Sequence, residues 1–153
     1  MQLEEKQDVP VKEFVRNPQK YVMIPAHARP RHKFIEEQHK KLMHYSNTSG
    51  INKIEWNDKK RGIITNSVAY EYVKEVCPDA SVLKIGMVWP MPEDMIRDFA
   101  SQVNELYIVE ELDPFIEDYV KAMGISCIGK EVIPILGELN PAIVDKALNK
   151  NEL

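Results

Sequence analysis

Residues 81–103 read SVLKIGMVWPMPEDMIRDFASQV. The first part, Ser81–Val88, is a short apolar, β-branched run bounded by turn residues, as expected of a buried strand. Pro92 then opens a helix at the position where a missing N–H costs nothing, and Glu93 and Asp94 follow at the positive end of its dipole. Ile96, Phe99, Ala100 and Val103 recur at helical spacing and form its buried stripe. One strand followed by one amphipathic helix is the unit that decides the fold.

The same unit recurs on both sides. Upstream, Gly62–Thr65 is a strand, Asn66 and Ser67 offer an N-cap, and Val68, Ala69, Tyr72, Val73 and Val76 make a helix face that ends at Pro78. Downstream, Leu106–Val109 is a strand and Asp113 is expected to cap a helix with Pro114 at its first position. Phe115, Ile116, Tyr119, Val120 and Met123 are expected to face inward, with Gly124 closing the helix. Ile125–Ile128 and Val132–Leu136 are further extended candidates, and Asn140-Pro141 starts a last helix bearing Ile143, Val144 and Leu148. Ile51–Trp56 and Gly62–Thr65 look like a hairpin across the polar turn Asn57–Lys60, which makes one strand antiparallel. Strands alternating with helices imply parallel pairing with helices on both sheet faces. The fold expected is a three-layer α/β/α sandwich, mostly parallel with one antiparallel strand.

The first 50 residues read differently. Pro10, Pro18, Pro25 and Pro30 punctuate them, and each biases the preceding residue away from helix. Residues 20–24 suit a short extended piece. A helix is expected after Pro30, carrying Phe34, Ile35, Gln38, Leu42 and Tyr45 on one side. The domain division is therefore a lead-in over 1–50, with a basic helix packed on the domain, and an α/β domain over 51–153.

The chain has 153 residues, is 44% hydrophobic and 29% charged, and has a formal net charge of −4. It shows no basic face interleaved with aromatics, so nucleic acid is not the expected partner. No apolar run approaches the ~20 residues of a membrane helix. The N-terminal MQLEEKQDVP is too polar and acidic for a secretory signal. Cys77 and Cys127 lie far apart and form no C-x-x-C pair, which suits reduced, unpaired thiols and a cytoplasmic location.

Known ligand-binding motifs are missing. No G-x-G-x-x-G or P-loop pattern follows the strand at Gly62–Thr65. Thr65, Asn66 and Ser67 could hold an anion at a helix N-terminus, or could serve only as caps. His27, His32, His39 and His44 all fall in the lead-in; His32 and His39 share about one helix face, but catalytic zinc needs three protein ligands. Pro25–His32 (PAHARPRH) is dense in donors and contains no acid. Its His27, Arg29, Arg31 and His32 are therefore candidates for docking on a carboxylate, a phosphate or an acidic protein surface. Glu110 and Glu111 leave the C-terminal end of a strand, where open α/β sheets build sites, but alternation sends them to opposite sides. Asn66, Ser67, Glu110 and Glu111 make up a candidate polar sheet edge. No residue is assigned a catalytic, cofactor-binding or metal-binding role.

Several strings in order carry a resemblance: Pro25–Arg29 with Arg31 and His32, Arg61–Thr65 with Ala69, Tyr70, Tyr72 and Val73, and Leu83–Gly86 with Pro90 and Pro92. LYIVEELDPFIE at 106–117, Gly129-Lys130 and Gly137–Leu139 complete it. Together they resemble the α subunit of indolepyruvate:ferredoxin oxidoreductase, and within it the middle domain that is similar to the C-terminal domain of transketolase. The resemblance implies a structural and assembly role within a piece of a longer polypeptide. The parent would be a thiamine diphosphate-dependent enzyme that oxidatively decarboxylates aryl pyruvates to aryl-acetyl-CoA. It implies Mg²⁺ and [4Fe–4S] clusters in the parent, none of these cofactors in this domain, and no activity for this domain alone. The implied partners are the remaining α-subunit domains, the β subunit, ferredoxin and CoA. Two other functions stand beside it. One is a free-standing flavodoxin-like module binding a small anion at Asn66 and Ser67 beside Glu110; the other is an interaction domain using the basic helix Pro25–His44.

Overall fold

The computed structural model describes residues 8–149; residues 1–7 and 150–153, the outer ends of the two expected domains, lie outside the described residues. The chain forms two compact units, Met1–Gln38 and His39–Leu153.

In the first unit, α1 (Pro18–Tyr21) is a single turn and α2 (Pro25–Thr48) begins, passing the unit boundary between Gln38 and His39. The extended piece expected at 20–24 is thus corrected at its start. Asn17 accepts the Lys20 N–H at 3.1 Å through its side chain, and Pro18 sits at the first helical position. That cap chemistry outweighs the β preference of the residues after it. The second helix likewise starts at Pro25, not after Pro30, so the basic segment is helical. Pro25 fits a first-turn position, and Pro30 is carried inside the helix.

The second unit is built on a four-stranded sheet: β1 (Lys53–Glu55), β2 (Asp58–Asn66), β3 (Ala80–Ile85) and β4 (Glu105–Val109), in the order β1-β3-β2-β4. Strand β2 is parallel to both β3 and β4, while β1 is antiparallel to β3. The mixed sheet is as expected, but its hairpin is not: β1 pairs with β3 rather than with β2. Trp56-Asn57 lacks the glycine of a tight primed turn. Instead the chain passes the start of β3, where the Asn57 side chain donates to the Pro78 carbonyl at 3.0 Å and the Asp58 N–H to the Asp79 carbonyl at 3.0 Å.

Strand alternation divides the interior in two. Ile63, Val82 and Val109 point to one face, where Ala69 and Val73 of α3 (Ser67–Val76) and Val144 and Leu148 of α6 (Pro141–Asn149) cover them. Ile64, Leu83, Ile85, Leu106 and Ile108 point to the other. There they meet Ile96 and Phe99 of α4 (Glu93–Ser101) and Ile116 and Val120 of α5 (Phe115–Ala122). Each of these four helices therefore inserts a pair spaced three or four residues apart, and each fully buried Val, Ile or Phe among them is worth about 1.5–3 kcal/mol. The result is the three-layer sandwich. Gly62 lets α4 approach β2 closely, since a Cβ there would lie 2.8 Å from the Val103 methyls and 3.0 Å from the Phe99 ring.

Three further expectations are corrected. Phe115 is 53% exposed, although Ile116 and Val120 beside it are fully buried. It is the first residue of α5, directly after Pro114. Ile125–Ile128 contributes only one parallel bridge, Tyr107 to Ile128, rather than a strand. Val132–Leu136 forms no strand, because Pro134 removes a ladder donor and the run turns instead, with the Val132 and Ile133 N–H groups donating to the Gly129 carbonyl.

Within the second unit, the C-terminal part of α2 is held by polar contacts. Ser46 Oγ donates to the Pro90 carbonyl at 2.7 Å. Asn52, only 3% exposed, donates to the Ser46 carbonyl and accepts the N–H groups of Gly86 and Met87, both at 2.8 Å.

Candidate functional site

The chain leaves β2 to one side to form β3 and returns to the other side to form β4, so the connections diverge between β2 and β4. In an open α/β sheet the crevice at such a switch point is the expected ligand site. A cleft of about 220 Å³ opens there, lined by Asn66, Ser67, Val68, Ala69, Val88, Glu110, Glu111, Asp113 and Phe115. The structure thus brings together Asn66, Ser67, Glu110 and Glu111, the four residues of the candidate polar edge.

The cleft's acids are largely engaged by the fold. Glu110 is 4% exposed, and its carboxylate accepts the Ile116 N–H at 2.8 Å and the Glu117 N–H at 3.0 Å. It therefore does the capping expected of Asp113. Pro114 occupies the N-cap position of α5, and no side chain bonds from it. A glutamate at the strand end is long enough to reach back across the helix N-terminus, where its charge also suits the dipole. Glu111 turns elsewhere and accepts the Leu139 N–H at 3.0 Å, anchoring the segment before α6.

A second buried carboxylate completes the network. Glu117 accepts from the Lys121 ammonium at 2.6 Å and from the Lys130 N–H at 2.8 Å, and Lys130 Nζ donates to the Glu110 carbonyl at 2.6 Å. A Cβ on Gly129 would overlap the Glu117 carboxylate. Burial pushes the Glu110 carboxyl above its ordinary value, against the N–H groups of Glu117 and Ile116 and the Lys130 ammonium. Burial would also raise Glu117, but Lys121 and Lys130 outweigh it and hold that carboxyl low. Glu117, Gly129 and Lys130 escaped the site reading. The available signal was Glu117 lying next to the apolar stripe of α5, where a polar residue requires internal partners.

On the opposite wall Asn66 occupies the N-cap position of α3 without a side-chain cap bond, and Ser67 has φ +46°. The expected capping by these residues is not formed. Leu112, at φ +56°, is the other non-glycine residue in the left-handed region among the described residues, and it lies between the cleft residues Glu111 and Asp113 in sequence. Nearby, the Trp89 ring lies 5.6 Å from His39 and 6.1 Å from Tyr119, whose hydroxyl donates to Glu93 at 2.6 Å. That bond, together with burial, pushes Tyr119 up to about 12.

The basic candidates lie in the first unit, on α2. His27 Nδ1 is 2.9 Å from the Val22 carbonyl, Arg31 sits 4.6 Å over the Phe34 ring, and Arg29 is exposed. His32 lies 3.5 Å from Glu36, so the segment does have an acid beside it once it is helical.

The residues do not fit the cofactors implied for the parent enzyme. Glu110, Glu111 and Asp113 would repel a diphosphate in the switch-point cleft. Cys77 and Cys127 are free and belong to opposite faces of the sheet, whereas a [4Fe–4S] cluster takes four thiolates. Burial also pushes the Cys127 thiol up to about 11. No group of three or more His, Cys, Asp or Glu with metal-binding geometry occurs among the described residues. Nor is any described helix long and apolar enough to cross a membrane.

No family profile matches the chain. Among characterised proteins it is 37% identical over 127 residues to the indolepyruvate oxidoreductase subunit IorA of Archaeoglobus fulgidus, a match covering 77% of this chain and 20% of that subunit. It is 35% identical over 149 residues to IorA of Pyrococcus horikoshii, covering 90% of this chain and 23% of that subunit. Among solved structures it is similar to a 2-oxoglutarate:ferredoxin oxidoreductase from Magnetococcus marinus, with TM-score 0.63 and 19% identity, over 83% of this chain and 23% of that one. The likeness in structure carries the fold; the sequence matches carry the kinship. The chain is therefore similar to one part of the indolepyruvate oxidoreductase subunit IorA, and it spans about a fifth to a quarter of the length of the relatives it matches.

Proposed function

We propose that this chain is a structural and assembly part of a thiamine diphosphate-dependent indolepyruvate:ferredoxin oxidoreductase, whose catalytic groups are carried by other parts of that enzyme. The observation that carries this reading is the use made of the switch-point carboxylates. Glu110 caps α5 and Glu111 holds the Leu139 N–H, so both are committed to positioning backbone. The parent reaction would be oxidative decarboxylation of an aryl pyruvate with transfer to CoA and electrons passed to ferredoxin. Thiamine diphosphate stabilises the carbanion in such chemistry, and a protein part like this one supplies position and rigidity.

The alternative of a flavodoxin-like module holding a small anion is opposed by the three carboxylates lining the cleft. The test is reconstitution. The complete subunit with its partner subunit should reduce a viologen dye when given indolepyruvate and CoA, and the 153-residue chain alone should not. Calorimetric titration of the chain with thiamine diphosphate and Mg²⁺, and separately with inorganic phosphate, should give no specific heat. Turnover by the chain alone, or saturable binding of either ligand, would overturn the proposal.

A further inference from the structure

The second unit has a full core; the described residues of the first form none. No residue between 8 and 38 is buried. Yet eight of the 17 residues at 8–24 are large and apolar: Val9, Val11, Phe14, Val15, Tyr21, Val22, Met23 and Ile24. Val11 is 96% exposed and Phe14 91%. A solvated linker stays extended because it lacks such side chains, and a monomer rarely leaves so many of them together in water. The prolines at 10, 18 and 25 limit the unfolded freedom of the stretch and so lower the entropy lost when it is ordered.

Charge narrows what could cover it. Residues 9–24 carry Lys12, Arg16 and Lys20 against Glu13, and residues 25–33 add three Lys or Arg and two His with no Asp or Glu, in a chain whose net charge is −4. A complementary surface is apolar at its centre and acidic at its margin. The matched relatives supply the rest of the argument. A match over 90% of the chain leaves 10% of 153 residues, about 15, unmatched, fewer than the 38 of the first unit. Part of this apolar stretch or its continuation therefore belongs to the region shared with a subunit of which the match covers 23%. More than three quarters of such a subunit lies outside the match and is always present beside it.

We infer that residues 9–24 are a docking arm whose apolar side chains, Val11 and Phe14 foremost, lie on the remainder of the same subunit against an apolar surface edged by acidic groups. The inference rests on reading this chain as part of a larger subunit.

Hydrogen–deuterium exchange read by mass spectrometry tests it, on the 153-residue chain and on the complete subunit. Peptides across 9–24 should exchange at nearly unprotected rates in the chain and about tenfold or more slowly in the complete subunit. The double substitution Val11→Asp and Phe14→Asp should abolish that slowing and leave the amides of β2, β3 and β4 unchanged in both. Equal exchange in the two proteins would overturn the docking arm. Protection that appears in the chain alone and grows with its concentration, alongside a dimer in sedimentation, would assign the arm to a second copy instead. Protection that needs the partner subunit would assign it there. Failure of the complete enzyme to oxidise indolepyruvate would refute the proposed activity, not the arm, because the exchange readout requires no turnover.

Discussion

Two N–H groups at the start of α5 depend on one carboxylate. Replacing Glu110 by Ala should cost about 1–3 kcal/mol in urea unfolding, since both donors would remain buried without an acceptor. The pH dependence has a definite sign. Burial raises the folded carboxyl above its ordinary 4.5, so the native state binds the proton more tightly than the unfolded chain. Stability from this group therefore falls as pH rises from 4.5 through the folded value. The stability of the natural protein relative to Glu110→Gln should decline over that interval. For Glu117, burial acts upward but Lys121 and Lys130 prevail, so the folded value lies below 4.5. Its contribution is present above 4.5 and is lost on acidification through the folded value, and Glu117→Gln should be most damaging near neutrality. Parallel slopes for the two variants, in unfolding followed from pH 4 to pH 7, would contradict both assignments. Gly129→Ala tests the same network sterically; the added methyl meets the Glu117 carboxylate, and a loss of about 1–3 kcal/mol is expected. At this scale the sequence offered the acids but not their partners. Glu110 was legible as a residue at a strand end, whereas its bond to α5 depends on how far a side chain reaches around Pro114.

Among the elements, α5 separates pattern from position. Ile116 and Val120 lie against the sheet, and truncating Ile116 to Ala should cost about 2–5 kcal/mol. Phe115→Ala should stay within about 0.5 kcal/mol in this chain, because the ring is already half in water. Comparable losses for the two, measured by chemical denaturation, would mean that the helix is rotated from the placement described. Periodicity gave the inward stripe correctly from its second residue onward and failed at its first. A helical wheel has no knowledge of which neighbours the first residue of a helix meets. The same limit explains β1: its direction could be read from the short connection to β2, but its neighbour could not. Pairing across β3 is decided by Asn57 and Asp58 meeting the Pro78 and Asp79 carbonyls, contacts between residues more than 20 positions apart.

For the molecule as a whole, the alternation of strand and helix was enough to predict three layers, because each helix face and each strand face has only one way to leave water. The lead-in was harder to read, since its apolar residues follow no period that its own structure uses. Deleting residues 1–24 should therefore shift the urea midpoint of the remaining chain by little, about 0.5 kcal/mol or less in stability, because none of the described residues in that stretch is buried. A large drop would show that the stretch supports the sandwich directly. The two borders of the sheet carry a different consequence. Strand β1 is only three residues long and presents Lys53 and Glu55, while the outer side of β4 is occupied at Ile128, which donates to the Leu106 carbonyl and accepts the Ile108 N–H. Short charged borders and occupied donors deny another chain a template on which to add a strand. Loosening the turn at Gly129 would uncover the outer side of β4 and turn a stability defect into a tendency to form fibrils.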